Sequence, residues 1–368
     1  MASTPTKDDV FAALGRVIDP ELRKDVVELR MVRDIEIDEH NHVTVEIALT
    51  TPGCPLKRSF DDQVNQHVGS LPGVTGTLVR FTVMTSEQKE SLREQLQGGG
   101  RQTRKPGIAI PRECRVIAVT SGKGGVGKST VTTNLAAAMA ARGKEVGLLD
   151  ADVYGYSVPQ MLGIQQRPVT VDSMMVPPVA HDVRLMSIGF FLEDESPVMW
   201  RGPMLHRALE QFLGDVHWGD IEYLFIDMPP GTGDVAISLG QLLPRAEVIV
   251  VTTPQVAAQK VAQRAALMAK KMDQQLIGVV ENMAGGVFGD GGGDVLAEAV
   301  RSKVIGRIPL DVAVREGGDS GVPVVTSDAA VASAFNEIVD AILAIEPPAL
   351  PAVIPEPKAR IKKPLTML

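Results

Sequence analysis

The most explicit chemistry in the sequence lies at 121–130, SGKGGVGKST, where Gly122, Gly127, Lys128 and Ser129 complete the spacing G-x-x-x-x-G-K-[ST]. The motif follows an apolar run, VIAVT, and precedes a helical run, TVTTNLAAAMAARG, which is the context a phosphate loop needs. Glycines let backbone N–H groups converge on phosphate oxygens, and the start of the following helix adds the positive end of its dipole. The loop from Gly122 to Thr130, with Lys123, Gly124, Gly125, Val126 and Gly127 inside it, is therefore the expected nucleotide cradle. Lys128 would reach the β and γ phosphates, and the Ser129 hydroxyl could ligate Mg2+. Two further apolar runs end in carboxylates: EVGLLDAD places Asp150 and Asp152, and YLFIDMPPGTGD places Asp227. One aspartate at a strand end is commonly a helix cap, but three beside a phosphate loop are where phosphoryl-transfer chemistry needs carboxylates to hold Mg2+ or its water shell.

The elements needed to position these residues are legible around them. Short, continuously apolar runs (VIAVT, EVGLLD, YLFID, EVIVVT, LIGVV and VIGRI) alternate with helical stretches from residue 114 to 346, the pattern of strands buried on both faces of a mostly parallel sheet. Residues 1–85 have a different texture. Apolar positions over 7–18 recur at helical spacing, alternating runs at 32–38 and 42–50 form an antiparallel hairpin, and TPGCP at 51–55 breaks the second strand. A helix from Leu56 to about Val68 and a strand from Val74 to Met84 complete a small α+β domain. Between the two domains, residues 86–113 form a linker with a polar helical stretch followed by GGGRQTRKPG, and residues 347–368 form a proline-rich basic tail. The expected fold class is thus α/β, a mostly parallel P-loop NTPase sheet preceded by a smaller α+β domain.

Composition excludes several functions. The 368 residues carry a net charge of −8, distributed as −5 over 1–90, +3 over 91–113, −9 over 114–346 and +3 over 347–368. Two acidic domains do not suit general binding to a phosphate backbone. No apolar run reaches membrane-spanning length and the N-terminus has no signal-peptide core, so a cytoplasmic protein is expected. The two cysteines, Cys54 and Cys114, are too few for a disulfide framework or for a zinc site within one chain. Cys54 sits in a rigid proline-flanked loop ahead of a helix, where it is either a reactive or ligating thiolate or a small buried apolar residue. Cys114 reads as a structural residue at a strand edge. His40 and His42 share one side of the hairpin turn with no third ligand in reach, and no Ser-His-Asp or Cys-His arrangement is evident.

The additional lysine in KGGVGKST (123–130) gives the loop a specific resemblance to the deviant Walker A of the ParA/MinD class. That resemblance implies that Lys123 reaches across a homodimer to the partner's nucleotide. It also implies that Asp152 positions the attacking water and that Asp227 is the Walker B and switch II residue, with Asp234 of GTGD a further switch II candidate. Within the class, DADVYGYSVPQMLG (150–163), IDMPPGTGDVAISLGQ (226–241), VVTTPQVAAQK (250–260), VVENMAGG (279–286) and GRIPLDVAVREGGDSGVPVV (306–325) are similar to the Mrp/ApbC group of iron–sulfur cluster carrier ATPases. The N-terminal domain, through DPEL (19–22) and TTPGCP (50–55), resembles a small domain of iron–sulfur assembly factors. The resemblance implies ATP, with Asn282 recognising adenine, whereas chemistry alone would equally make Asn282 an Asx-turn residue. It further implies Mg2+, a [4Fe-4S] cluster as cargo, and apo iron–sulfur proteins and assembly factors as partners. One position departs from the group: where its carriers place C-x-x-C, this chain reads MAGGVFGDGGGD, which leaves Cys54 as the candidate cluster contact. The alternatives are a nucleotide-dependent positioning or scaffold switch of the ParA/MinD type without metal handling and, third, a P-loop kinase or synthetase acting on a small molecule.

Overall fold

A computed structural model of the chain describes residues 5–51, 56–96, 109–192 and 202–348. Cys54, residues 97–108 of the linker and the tail from 349 onward lie outside them. In chain order the elements begin with α1 (Lys7–Leu14), β1 (Val32–Ile37), β2 (His42–Leu49), α2 (Lys57–His67), β3 (Gly76–Val83) and α3 (Ser86–Leu96). There follow β4 (Arg115–Ser121), α4 (Lys128–Ala140), β5 (Val146–Asp150), α5 (Val158–Met161) and four short strands, β6 (Val169–Val171), β7 (Met174–Val176), β8 (Val179–Ala180) and β9 (Val183–Ser187). The remainder is α6 (Gly202–Gly214), β10 (Tyr223–Asp227), α7 (Asp234–Leu242), β11 (Glu247–Thr252), α8 (Val256–Lys271), β12 (Gln275–Ala284), α9 (Gly292–Ala299), β13 (Val304–Pro309), α10 (Val312–Ser320) and α11 (Ala332–Leu343). These elements fall into two compact units, one within residues 1–103 and 168–177, the other within 104–167 and 178–368.

In the first unit β2 is central, antiparallel to β1 and parallel to β3. Helix α1 opens with a capping box in which Thr6 Oγ1 accepts from Asp9 N–H at 3.2 Å and Asp9 Oδ2 accepts from Thr6 N–H at 3.0 Å. It ends at Leu14, four residues before the sequence pattern suggests. Gly15 closes the helix, and Ile18 instead forms a β-bridge with Asp25, so Val17 reaches the core from a loop. Val10, Leu14, Val45, Ile47, Phe60 and Val64 are fully buried there, each favoring folding by about 1.5–3 kcal/mol. The same core takes in Val171, Met174 and Val176 of the β6–β7 hairpin, a segment that the sequence places inside the ATPase half. Arg93 of α3 and Asp172 at the hairpin tip form an ion pair.

The second unit is built on an eight-stranded sheet ordered β13-β12-β11-β4-β10-β5-β9-β8, parallel except for the short edge strand β8. From β4 the chain moves through α4 toward β5, and from β11 it moves through α8 the opposite way to β12. Right-handed crossovers in opposite directions put α4 and α8 on opposite faces of the sheet. That reversal between β4 and β11 is where a doubly wound sheet opens a crevice at its carboxyl edge. Trp218, fully buried, lies over β5 so closely that a Cβ on Gly147 would come within 2.8 Å of its ring, and its indole N–H donates to Phe212 O at 2.9 Å. Among the described residues no helix is long and apolar enough to cross a membrane.

Candidate functional site

Three strand ends and one loop converge at the carboxyl edge of the sheet. Strand β4 ends at Ser121, and Gly122 follows where α8 crosses; a Cβ there would fall 2.2 Å from Ala262 N and from Val261 C, so only glycine fits. Gly125 and Gly127 both have φ of +79°, the left-handed conformation that glycine adopts without strain. Nothing lies within 4 Å of the Cβ directions of Gly124 and Gly125, so the space beside this part of the loop is open. Ser121 Oγ donates to Lys123 O at 3.1 Å and fixes the start of the loop. Lys128 and Ser129 then begin α4, so the loop delivers its amides at a helix N-terminus.

The side chains form one connected group. Lys128, 6% exposed, places Nζ 2.6 Å from Asp227 Oδ2, 3.4 Å from Asp152 Oδ2 and 3.1 Å from Ser129 Oγ. Ser129 Oγ donates to Asp227 Oδ2 at 2.6 Å, and Thr132 Oγ1 donates to Asp227 Oδ1 at 2.8 Å. Asp227 and Asp150 face each other across the β10–β5 ladder, where they are register partners. Burial, and after it the Asp227 carboxylate, pushes the Asp150 carboxyl up to about 8, although Ser187 Oγ donates to its Oδ2 at 2.9 Å. Hydroxyl and carboxylate oxygens from Ser129, Asp227 and Asp150 are the hard donor set that Mg2+ prefers. The expected cradle residues and Asp150, Asp152 and Asp227 thus come together. Asp234 stands apart at the exposed start of α7, beside a cavity of about 470 Å³ that is also lined by His206 and Arg207.

Asn282 arrives from β12 in a role the sequence did not suggest. Its buried amide Nδ2 donates to Val126 O at 2.8 Å, tying the phosphate loop to the end of that strand. A Cβ on Gly127 would sit 2.2 Å from the same nitrogen. Glu281 and Thr132 also escaped the sequence reading. The available signal was a polar pair, Glu-Asn, closing the apolar run LIGVV in the way aspartates close the other strands.

No group of three or more His, Cys, Asp or Glu side chains able to hold a metal ion occurs among the described residues. Cys114 is buried, and burial pushes its thiol up to about 12, because desolvation penalises the thiolate. At pH 8.5 such a thiol holds on the order of a thousandfold less thiolate than an ordinary cysteine. Cys114 is therefore expected to resist iodoacetamide in the native protein and to react once the chain is denatured, as read by peptide mass mapping. Rapid native labelling at Cys114 would contradict the buried placement.

Residues 113–343 match the family of NUBPL iron-transfer P-loop NTPases, and residues 7–81 match that of iron–sulfur cluster assembly proteins. Of the solved structures, a nucleotide-binding protein from Archaeoglobus fulgidus in complex with ADP is 32% identical. It covers 66% of this chain and 94% of its own, with a TM-score of 0.51. The cell division ATPase MinD of Pyrococcus furiosus, 24% identical over 62% of this chain and 98% of its own, shares the fold at a TM-score of 0.51. The iron–sulfur cluster carrier protein of Bacillus subtilis is 40% identical over 317 residues, 83% of this chain and 88% of its own. That of Mycobacterium tuberculosis is 50% identical over 350 residues, 90% of this chain and 92% of its own. Matches of this extent across both units, with a phosphate loop of this geometry in the second, place the chain in the iron–sulfur cluster carrier family of P-loop NTPases.

Proposed function

We propose that this chain is a Mg2+-dependent ATPase, active as a homodimer in the cytoplasm, that carries iron–sulfur clusters to apoproteins. The observation that supports the reading most directly is the Lys128–Asp227–Ser129 group beside the glycine loop, in which Lys128 and Asp227 are buried. Lys128 is held by carboxylates where its ammonium can exchange onto the phosphates of ATP, and the backbone amides of the loop take the remaining phosphate oxygens. Ser129 and Asp227 would hold Mg2+, with Asp150 behind them; bound there, the ion neutralises charge on the β and γ phosphates. Asp152 orients the attacking water. Asn282 keeps the loop in its binding shape and, as the resemblance implies, contacts adenine.

Lys123 acts differently from Lys128 in this account. It is a member of the loop, but its function is to reach the nucleotide of a second copy. Lys123→Ala should leave ATP binding within about twofold of wild type while lowering turnover about 10²-fold, the cost of one missing charge at a phosphoryl-transfer site. Titration of a fluorescent ATP analogue, alongside phosphate release, separates the two effects. Equal loss of binding in Lys123→Ala and Lys128→Ala would contradict a role across the dimer.

The cluster is cargo. The segment at 283–294 offers no thiol, and Cys114 is buried and protonated, so Cys54 together with ligands from outside the chain is the proposed holding site. A cluster held this way exchanges readily, which suits delivery more than storage. Iron and sulfide content after anaerobic reconstitution tests the reading.

A further inference from the structure

Strand β12 is irregular where its Asn282 side chain reaches the phosphate loop. Pairing with β11 ends at Thr252↔Glu281, and pairing with β13 breaks between Glu281 and Ala284. Asn282 and Met283 fall in that gap, and Met283 has a φ of +56°, a left-handed conformation unusual for its residue type. The register shift between β12 and β13, a bulge, thus falls at the residue whose amide holds the Val126 carbonyl of the phosphate loop.

The side chain of Glu281 anchors the strand at the start of this bulge. It is fully buried, its Oε1 accepts from the Gly292 N–H at 2.8 Å, and its Oε2 accepts from Arg307 Nε at 3.1 Å. Arg307 also pairs with Asp294, so one guanidinium joins β12, β13 and α9. Close packing enforces the arrangement. A Cβ on Gly293 would come within 2.9 Å of Glu281 Cβ, and one on Gly292 within 2.7 Å of Pro254. A buried carboxylate is retained at such a place only when its partners are well aligned, because its desolvation is costly. Here those partners pin the residue immediately before Asn282.

We infer that Glu281 is a positioning residue of the nucleotide site, its carboxylate holding Asn282, and through Asn282 the Val126 carbonyl of the phosphate loop, in the arrangement that binds ATP. This rests on the ATPase reading above. The same carboxylate anchors α9 just beyond the glycine-rich turn at 285–291, so the phosphate loop and that turn are joined through two adjacent side chains. A change in the loop on nucleotide binding would reach the turn by this route.

The test uses the full chain and compares wild type with Glu281→Ala, Glu281→Gln, Arg307→Met and, as a control, Phe335→Leu, a core change in α11 that removes none of these hydrogen bonds. The KM for ATP, kcat and thermal midpoint are measured for each, with ATP binding titrated directly, since KM equals the dissociation constant only where chemistry is slow relative to ATP release. Glu281→Ala is expected to raise KM about tenfold with kcat within about twofold, and Glu281→Gln, which keeps an acceptor for Gly292, to stay within about threefold of wild type. Arg307→Met, which unpairs the carboxylate without removing it, should raise KM and carries the test if Glu281→Ala does not fold. Phe335→Leu should lower the thermal midpoint with KM unchanged. A wild-type KM in both Glu281→Ala and Arg307→Met, or a rise in KM that Phe335→Leu reproduces at equal loss of midpoint, would overturn the inference. Failure of the ATPase reading itself would show separately, as absence of ATP turnover in the wild type.

Discussion

Lys128→Ala is expected to abolish detectable ATP turnover, lowering it by at least about 10²–10³-fold and weakening ATP binding with it. The side chain is 6% exposed and its ammonium lies between two carboxylates, 2.6 Å from Asp227 and 3.4 Å from Asp152. No flexible surface lysine could replace a charge delivered at the bottom of a glycine cradle. The substitution has a second consequence, because truncating one partner of a buried ion pair leaves the other charge uncompensated. Losses of about 3–5 kcal/mol are typical in that case. Lys128→Ala should therefore also lower the thermal midpoint of the nucleotide-free protein, and Mg2+ should restore part of it by satisfying the unpaired carboxylates. Turnover near wild type, or an unchanged midpoint in the absence of nucleotide and Mg2+, would contradict the geometry.

Trp218→Ala should have the largest effect on stability, about 3–5 kcal/mol, as expected for removing a fully buried large aromatic side chain. The ring packs on Gly147, three residues before Asp150 on β5, and its N–H satisfies the Phe212 carbonyl. The truncation creates a cavity beneath the strand and leaves that carbonyl unpaired, so two costs add. Denaturant unfolding followed by circular dichroism should show the loss in the second unit. Saturating ATP with Mg2+ should recover stability if the strand still delivers Asp150 to the site. A midpoint within the error of wild type would mean that the contact carries little of the fold.

The features that were legible in the sequence are those whose chemistry constrains neighbouring residues. Phosphate binding demands glycines, a lysine and a hydroxyl at fixed offsets on one strand–loop–helix unit, so Gly122 through Thr130 could be read directly, as could the aspartates that close apolar strands. The parallel sheet was legible because its strands are apolar on both faces. What escaped depends on residues far apart in sequence. The β6–β7 hairpin is built of three-residue strands whose burial comes from a core formed by residues 10–92, and no local periodicity announces that partnership. Helix α1 has the spacing to run to Ile18 but stops at Leu14, because Gly15 and the Ile18–Asp25 bridge outweigh local pattern. Asn282 was legible only through resemblance. Its bond to Val126 spans 156 residues and appears only once β12 lies beside the phosphate loop.

The missing C-x-x-C shapes the rest of the account. The segment between Asn282 and Asp294 is a glycine-rich turn with positive φ at Gly285, Gly286, Gly289 and Gly291, not a thiol pair. Under the proposed function, cargo binding would then fall to Cys54, and nucleotide binding to the loop and strand ends around Lys128 and Asp227.

The most direct measurement is iron and acid-labile sulfide per chain after anaerobic reconstitution, followed by transfer to an apo iron–sulfur protein with and without ATP and Mg2+. It is made on wild type, Cys54→Ala and Cys114→Ala. A cluster bound by wild type and Cys114→Ala, lost in Cys54→Ala and passed to the apoprotein is the predicted result. A wild-type chain that retains no iron or sulfide under any nucleotide condition would contradict the carrier account.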